Sequence, residues 1–309
     1  MLVHLLTASA CPHVDSPLVC PVCEVRGPQA RQTPEVDAAR LATWLRQTRD
    51  VGASRATLRD GDLLTRPEAL ELLELTQQLA FNAVEVWTSG LALVRPESVA
   101  RVREAGATHV AVPLYGDSAE AHDLVTAHEG HFQRVIRGLR TARAAGLRTT
   151  VLAPVLRPTF RQLPRLVAGA LSLGASAVRF SLAETDDREA HPLLPHPGLA
   201  APFVRAAVRQ ARTAGLRATT AGIPPCLLED LATTAWRPPP WTVDARATGV
   251  AGEVQGPAAA PPGQHGRPCQ TCTWRDLCAG VAPPVVARHG WGWVVPRDDA
   301  PPARKDAVE

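Results

Sequence analysis

The chain has 309 residues, of which 45% are hydrophobic, and a net charge of +3. That length supports one large or two modest cored units. No apolar run reaches the roughly 18–20 residues of a membrane span, and residues 1–10 lack the basic start of a secretory signal; a cytoplasmic protein without a membrane partner is expected. The charge is too small to argue for a nucleic-acid partner. It is almost all arginine, with Lys305 the single lysine, which reads as the signature of a GC-rich genome rather than of an arginine-built binding face.

In chain order, strand patterns fall at residues 2–7, 55–59, 83–88, 109–114, 148–153 and 177–181. Helical patterns fall at 35–48, 67–79, 97–104, 132–145, 160–173 and 198–214. The segment 132–145 sets Val135, Ile136, Leu139 and Ala142 on one face at a period near 3.6. Gly106, Gly146, Gly174 and Gly215 each follow a helical pattern, where a residue of left-handed backbone is wanted. Six strand–helix units in series predict a parallel sheet with right-handed crossovers. A partial (β/α)6 TIM-like barrel and an open doubly wound sheet both satisfy the pattern. A glycine-rich G-x-G-x-x-G does not follow the first strand, which argues against a dinucleotide fold.

Beyond residue 215 the texture changes. Prolines gather at 238–240 and 261–262, and residues 245–266 are rich in Gly, Ala and Pro, which predicts a long loop. The expected organisation is a core over 1–215, a loop-rich cysteine-containing extension over 216–296 and a flexible tail over 297–309. Trp291 and Trp293, with Trp236 and Trp241, are expected to pack that extension.

The seven cysteines divide into Cys11, Cys20 and Cys23 near one end and Cys226, Cys269, Cys272 and Cys278 near the other. An odd number in two bunches, on a chain without a signal pattern, fits metal ligation better than a disulfide framework. In an α/β barrel, functional groups collect at the C-terminal ends of the strands, and Cys11, Cys20 and Cys23 follow the first strand. Three thiolates can hold three irons of a [4Fe–4S] cube and leave the fourth open. Zinc or free thiols are the alternative for the first group, and structural zinc for the second.

The run Asp60-Gly61-Asp62-Leu63, ahead of Arg66-Pro67-Glu68, resembles the Gly-Gly-Glu-Pro that ends the second strand in radical S-adenosylmethionine (radical SAM) enzymes. Thr88-Ser89-Gly90 is similar to that family's Thr-Asn-Gly after the third strand. Tyr115-Gly116-Asp117-Ser118, His122-Asp123 and Gly130-His131-Phe132 follow its fourth-unit pattern, and Arg179-Phe180-Ser181 ends the sixth strand as is common there. The resemblance spans roughly residues 3–215. It departs in spacing the first cysteines C-x8-C-x2-C instead of C-x3-C-x2-C, in the substitutions Asp60, Asp62 and Leu63, and in Pro113 where the family often has Ser.

The resemblance implies that Cys11, Cys20 and Cys23 ligate a [4Fe–4S] cluster whose open iron takes the methionine end of S-adenosylmethionine. Asp62 then accepts a hydrogen bond from the cofactor's amino group, Gly61 lies close to the cofactor and Thr88 approaches its ribose. Cys269-x2-Cys272-x5-Cys278 resembles the SPASM or twitch extension, which with Cys226 implies a second, auxiliary [4Fe–4S] cluster. His122 matches a structural position of the family. The implied activity is reductive cleavage of S-adenosylmethionine to a 5′-deoxyadenosyl radical, which takes hydrogen from a small-molecule or peptide substrate, with a reducing electron donor as partner. The alternatives are a non-catalytic iron–sulfur electron-transfer or scaffold protein of the same fold, and a zinc-stabilised α/β binding protein.

Overall fold

The computed structural model describes residues 2–6, 37–59, 62–182, 193–235, 241–244 and 263–301. The first three units are β1 (Leu2–Leu6) with α1 (Ala38–Asp50), β2 (Arg55–Arg59) with α2 (Ala69–Gln78), and β3 (Ala83–Trp87) with α3 (Pro96–Glu104). The fourth is β4 (His109–Pro113) followed by two helices, α4 (Ala119–Thr126) and α5 (His131–Ala144). Then come β5 (Arg148–Val155) with α6 (Leu163–Ser172) and β6 (Ala177–Leu182) with α7 (Pro197–Thr213). The six expected units are therefore present in order. Two further strands flank them: β7 (Arg217–Ala221) pairs with β6, and β8 (Trp241–Asp244) pairs with β1.

All eight strands run parallel in the order β7-β6-β5-β4-β3-β2-β1-β8. The sheet curls into a half-barrel, α/β and TIM-like, open between β7 and β8. Its faces differ because strand side chains alternate. The outer face carries Leu58, Val84, Val86, Val110, Val112, Val151 and Val178, each at most 1% exposed, against the helices. From α5, Val135, Leu139 and Ala142 pack there, as their spacing predicts. Fully burying such a Val or Leu side chain is worth about 1.5–3 kcal/mol.

The inner face is different. Register places Thr57, Glu85, His109 and Arg148 in one row, and Trp87, Ala111, Thr150, Ala177 and Arg217 in the next. A parallel sheet with both faces sealed reads as unbroken hydrophobic runs; these strands instead alternate apolar-out and polar-in, which leaves a polar concavity.

Helix α4 was not expected. It starts with Ser118, whose hydroxyl accepts from Ala121 N at 3.3 Å. Its Asp123 carboxylate takes the N–H groups of Gly130 and Phe132, both at 2.7 Å, and so anchors the start of α5. The expected loop over 245–266 falls outside the described residues except for its last four. Among the described residues no helix is long and apolar enough to cross a membrane.

Candidate functional site at the mouth of the half-barrel

The C-terminal ends of β2 and β3 turn into two loops tied together by one carboxylate. Asp62 is 1% exposed. Its Oδ2 accepts from Ser89 N at 2.9 Å and from Ser89 Oγ at 2.6 Å, while Oδ1 accepts from Leu64 N at 3.1 Å. A carboxylate offers about four acceptor positions, so the described contacts leave one for a ligand. Within the Thr88-Ser89-Gly90 motif the resemblance gives the cofactor role to Thr88, whereas it is Ser89 that holds the acid. Thr88 is buried, with its N–H on Ala111 O and its Oγ1 accepting from Gly90 N.

Gly90 is needed where it stands. Its φ is +89°, and a Cβ there would lie 2.8 Å from Val112 Cγ1. From the other side Gly138 of α5 lets the helix reach the Gly90 carbonyl, where a Cβ on Gly138 would come within 2.5 Å. Helix α5 thus sets the height of the Thr88–Gly90 loop at the mouth.

Strand β1 ends at Leu6, paired with Arg59 and Asp244. Cys11, Cys20 and Cys23, which follow β1 in the sequence, lie outside the described residues, as does Gly61.

Below the mouth the inner face carries arginine side chains. The Arg59 guanidinium lies over the Trp87 ring at 4.3 Å and Arg179 lies 5.5 Å from the same ring. Trp87 Nε1 donates to Glu85 Oε1 at 3.0 Å. Burial lowers the Arg179 pKa from its ordinary value; Glu85 opposes that, and Arg59 and Arg217 add to it. Burial also lowers that of His109, with Glu85 opposing and Arg148, Arg55 and Arg217 adding. At this position the arginine content does build a face, which composition alone had not suggested.

The second cysteine group is described. Cys226 opens α8 (Pro225–Leu228), Cys269 and Cys272 lie in and just after a 3-10 turn at Arg267–Thr271, and Cys278 follows another at Arg275–Leu277. All four thiols are free of disulfides. Burial pushes the Cys226 thiol up to about 12, and Cys278, Cys272 and Cys269 push it the same way. Cys269, Cys272 and Cys278 therefore each lie within electrostatic reach of Cys226. Two of them accept backbone N–H groups: Cys272 from Arg297 at 3.4 Å and Cys278 from Gly280 at 3.3 Å. Such bonds to sulfur tune thiolate-ligated iron. A thiol that will not ionise beside other thiols does ionise against a metal, so the donor chemistry fits a bound cation or cluster. Among the described residues no three His, Cys, Asp or Glu side chains are set to hold a single ion. Zinc bonds of about 2.3 Å would draw the sulfurs within about 4 Å of each other; a four-iron cube holds them farther apart.

Around this group, Gln264 and Val281 form an antiparallel bridge, and a Cβ on Gly280 would strike Gly263 at 2.4 Å. Trp293 is buried with its ring 6.4 Å from His196, which also meets His289. Residues 297–301, expected to begin a tail, are tied back: Arg297 N reaches Cys272, and Thr273 Oγ1 donates to Arg297 O and Asp299 O. His122 and His131 form a buried pair, Nε2 to Nδ1 at 2.8 Å, with Tyr115 N on His122 Nδ1 at 3.3 Å. That arrangement is a structural strut beneath α4 and α5.

A parallel half-barrel with its ligand groups at the strand ends defines a class of α/β proteins, and comparison with known proteins gives the family. The family model of the radical SAM superfamily matches residues 10–168, just over half of the chain. The chain belongs to the radical SAM superfamily. Membership implies S-adenosylmethionine and a [4Fe–4S] cluster as cofactors.

Among curated relatives, the PqqA peptide cyclase of Gluconobacter oxydans (strain 621H) is 27% identical over 53% of this chain and 46% of its own length. The AdoMet-dependent heme synthase of Methanosarcina barkeri (strain Fusaro / DSM 804) is 27% identical over 47% of this chain and 42% of its own. These matches span less than half the length of either relative. In fold, the chain is similar to Streptococcus suis SuiB, solved bound to the precursor peptide SuiA, with a TM-score of 0.55 and 13% identity, covering 71% of this chain and 48% of that one.

Proposed function

We propose that the chain is a radical SAM enzyme that reductively cleaves S-adenosylmethionine to a 5′-deoxyadenosyl radical and abstracts hydrogen from a peptide substrate. The observation that carries the reading is a polar, concave inner face opening below the Asp62–Ser89 tie at the C-terminal ends of β2 and β3. A fold needing only a packed core would have sealed that face with aliphatic side chains. The names of the relatives, peptide cyclase and a precursor-peptide complex, support a peptide over a small molecule.

In this reading Cys11, Cys20 and Cys23 would hold the first cluster. When bound, it supplies the electron that splits the cofactor, and a reducing partner restores it. Asp62 would use its remaining acceptor position for the cofactor's amino group, with Ser89 fixing the carboxylate plane. Thr88 and the backbone at Gly61 would form the adjoining wall. Cys226, Cys269, Cys272 and Cys278 would hold an auxiliary [4Fe–4S] cluster with no open iron. Ligation would deprotonate the Cys226 thiol, which burial otherwise holds in its neutral form.

A second reading, a non-catalytic electron carrier or scaffold, draws on the three acceptor positions of Asp62 already taken within the protein. Anaerobic reconstitution followed by reduction with added S-adenosylmethionine separates the two. Formation of 5′-deoxyadenosine supports the enzyme; a loaded protein that forms none supports the carrier. Colourless protein with zinc bound overturns both.

A further inference from the structure

We propose that the cleft between α5 and α6, on the helical side of the half-barrel, docks an acidic amphipathic helix of the substrate peptide, outside the part that reacts. The inference rests on the reading above that the substrate is a peptide. Helix α6 packs closely on α7, and α5 on α4 and on the turn after Gly90, but α5 and α6 make little contact with each other. The gap between them is a cleft of about 250 Å³. Leu114, Phe132, Ile136, Leu166 and Leu173 supply its apolar wall, and Gly116 and Asp117 border one end. The helix after each strand runs back antiparallel to it, so that end, just after β4, lies at the rim of the mouth.

Two observations point to an occupant. Gly169 lines the cleft from inside α6, where glycine weakens a helix, yet a Cβ on it would meet nothing within 4 Å. Packing within the fold does not require glycine there; a chain lying in the cleft does. The second observation is charge. Between Glu129 and Glu184 the sequence has nine arginines and no Asp or Glu. Arg140 lines the cleft, Arg143 lies against Gly174 at its far end, and Arg165 pairs with Asp117 at the rim. Arg137, Arg140 and Arg143 follow one another at three-residue steps, where like charges weaken a helix. Among the described residues no carboxylate pairs with any of these three. An acidic helix answers both observations. Its apolar stripe fills the groove, as in helix-in-groove recognition, while its carboxylates meet the arginine rim. One end of it then stands at the mouth, where the rest of the peptide enters.

The test uses the full chain, reconstituted anaerobically with S-adenosylmethionine present. The probe is a doubly capped helical peptide matched to α5 in length, with leucines on one face and glutamates beside them. A short Gly-Ser tail with a photoreactive group is attached at either end in turn, and a second peptide carries glutamine for glutamate. By fluorescence anisotropy at low salt, the glutamate peptide should bind about tenfold more tightly, as several exposed ion pairs together confer, and the difference should shrink as salt rises. The double variant Arg140→Gln, Arg143→Gln should lose most of that preference, and Arg46→Gln, on α1, should keep it. Gly169→Leu adds a side chain where there is room, so its melting temperature should hold while affinity falls at least about tenfold. If that variant fails to fold, the arginine pair still decides. From one end of the helix, the tail should crosslink to residues 88–90 or 113–117 at the mouth. Equal affinity for the two peptides, binding of neither, or full affinity in Gly169→Leu overturns the proposal. Crosslinks confined to the outer helices from both ends overturn it by giving the cleft to a separate protein, and a dimer dissolved by Gly169→Leu does so by giving it to a second copy. Absence of 5′-deoxyadenosine alongside intact docking and mouth crosslinks would count against the enzymatic reading and leave this one standing.

Discussion

Asp62 shows how one side chain can serve structure and chemistry together. Its carboxylate satisfies a buried backbone N–H and a hydroxyl of Ser89 and caps the turn at Leu64. Removing it strands those donors, at about 1–3 kcal/mol for a buried group left without its partner. Asp62→Ala is therefore expected to lose stability in urea as well as affinity for S-adenosylmethionine, whereas Ser89→Ala should lose part of each because the acid remains. A variant of Asp62 that keeps full stability and loses only cofactor would contradict the tie described here. Cys226 offers a second measurement. With its thiol pushed up to about 12 by burial and then by the neighbouring cysteines, the reactive thiolate is scarce at pH 8. In metal-free protein, mass-mapped alkylation should modify Cys226 later than Cys272 or Cys278, and its rate should keep climbing as pH rises toward that value. Early alkylation of Cys226 would show that the four sulfurs are not coupled as they stand. Of these residues, Asp62 stands out in the sequence through the family motif around it, and the cysteines because their type is rare and their spacing informative. Ser89 and the Arg59–Trp87–Arg179 group were not, because nothing in a single sequence tells which of many serines and arginines converge from separate strands.

At the scale of elements, periodicity carried most of the reading. Helix α5 was evident from its apolar spacing, and the six strands from short apolar runs bounded by turn residues. Helix α4 was missed because it has eight residues, too few for a repeating stripe, and because its most telling residue, Asp123, points across to the next helix. Strand β7, Arg-Ala-Thr-Thr-Ala, lacks large apolar side chains, and β8 sits directly after Pro238–Pro240. Edge strands need less hydrophobic content than central ones, so composition underrates them. The contact of α5 with the Thr88–Gly90 loop yields a prediction in which two effects oppose. Gly138→Ala should gain about 1 kcal/mol of helix propensity. The added Cβ, though, meets the Gly90 carbonyl at 2.5 Å, and backbone cannot yield as a side-chain tip can, so overpacking of about 1–3 kcal/mol should win. Urea melts should show net destabilisation, accompanied by weaker binding of S-adenosylmethionine as the loop is displaced. A neutral or stabilising outcome would mean that α5 shifts freely and does not set the loop.

For the whole molecule the question is whether its two cysteine groups act as separate centres. The sheet runs from β8 through β1 to β7, and its ends stay apart. The first group follows β1 in the sequence, while the second is built from α8, after β7, and from residues 269–278. The two groups belong to distant stretches of the chain, so one is expected to survive loss of the other. Changing Cys11, Cys20 and Cys23 together to Ala is expected to remove about half of the reconstituted iron, since each site takes one four-iron cluster in this reading. All cleavage of S-adenosylmethionine should vanish with it. The cluster that remains should show no spectral response to added S-adenosylmethionine, because four thiolates leave it no iron to offer. The complementary variant, with Cys269, Cys272 and Cys278 changed, should keep a cofactor-responsive cluster. Its stability should fall, because the Cys272–Arg297 and Cys278–Gly280 bonds go with the sulfurs. Iron analysis and electron paramagnetic resonance on the two variants decide the matter. Complete iron loss from either would mean that the centres assemble as one unit, and a cofactor-responsive cluster in the first would place the open iron at the other end of the chain.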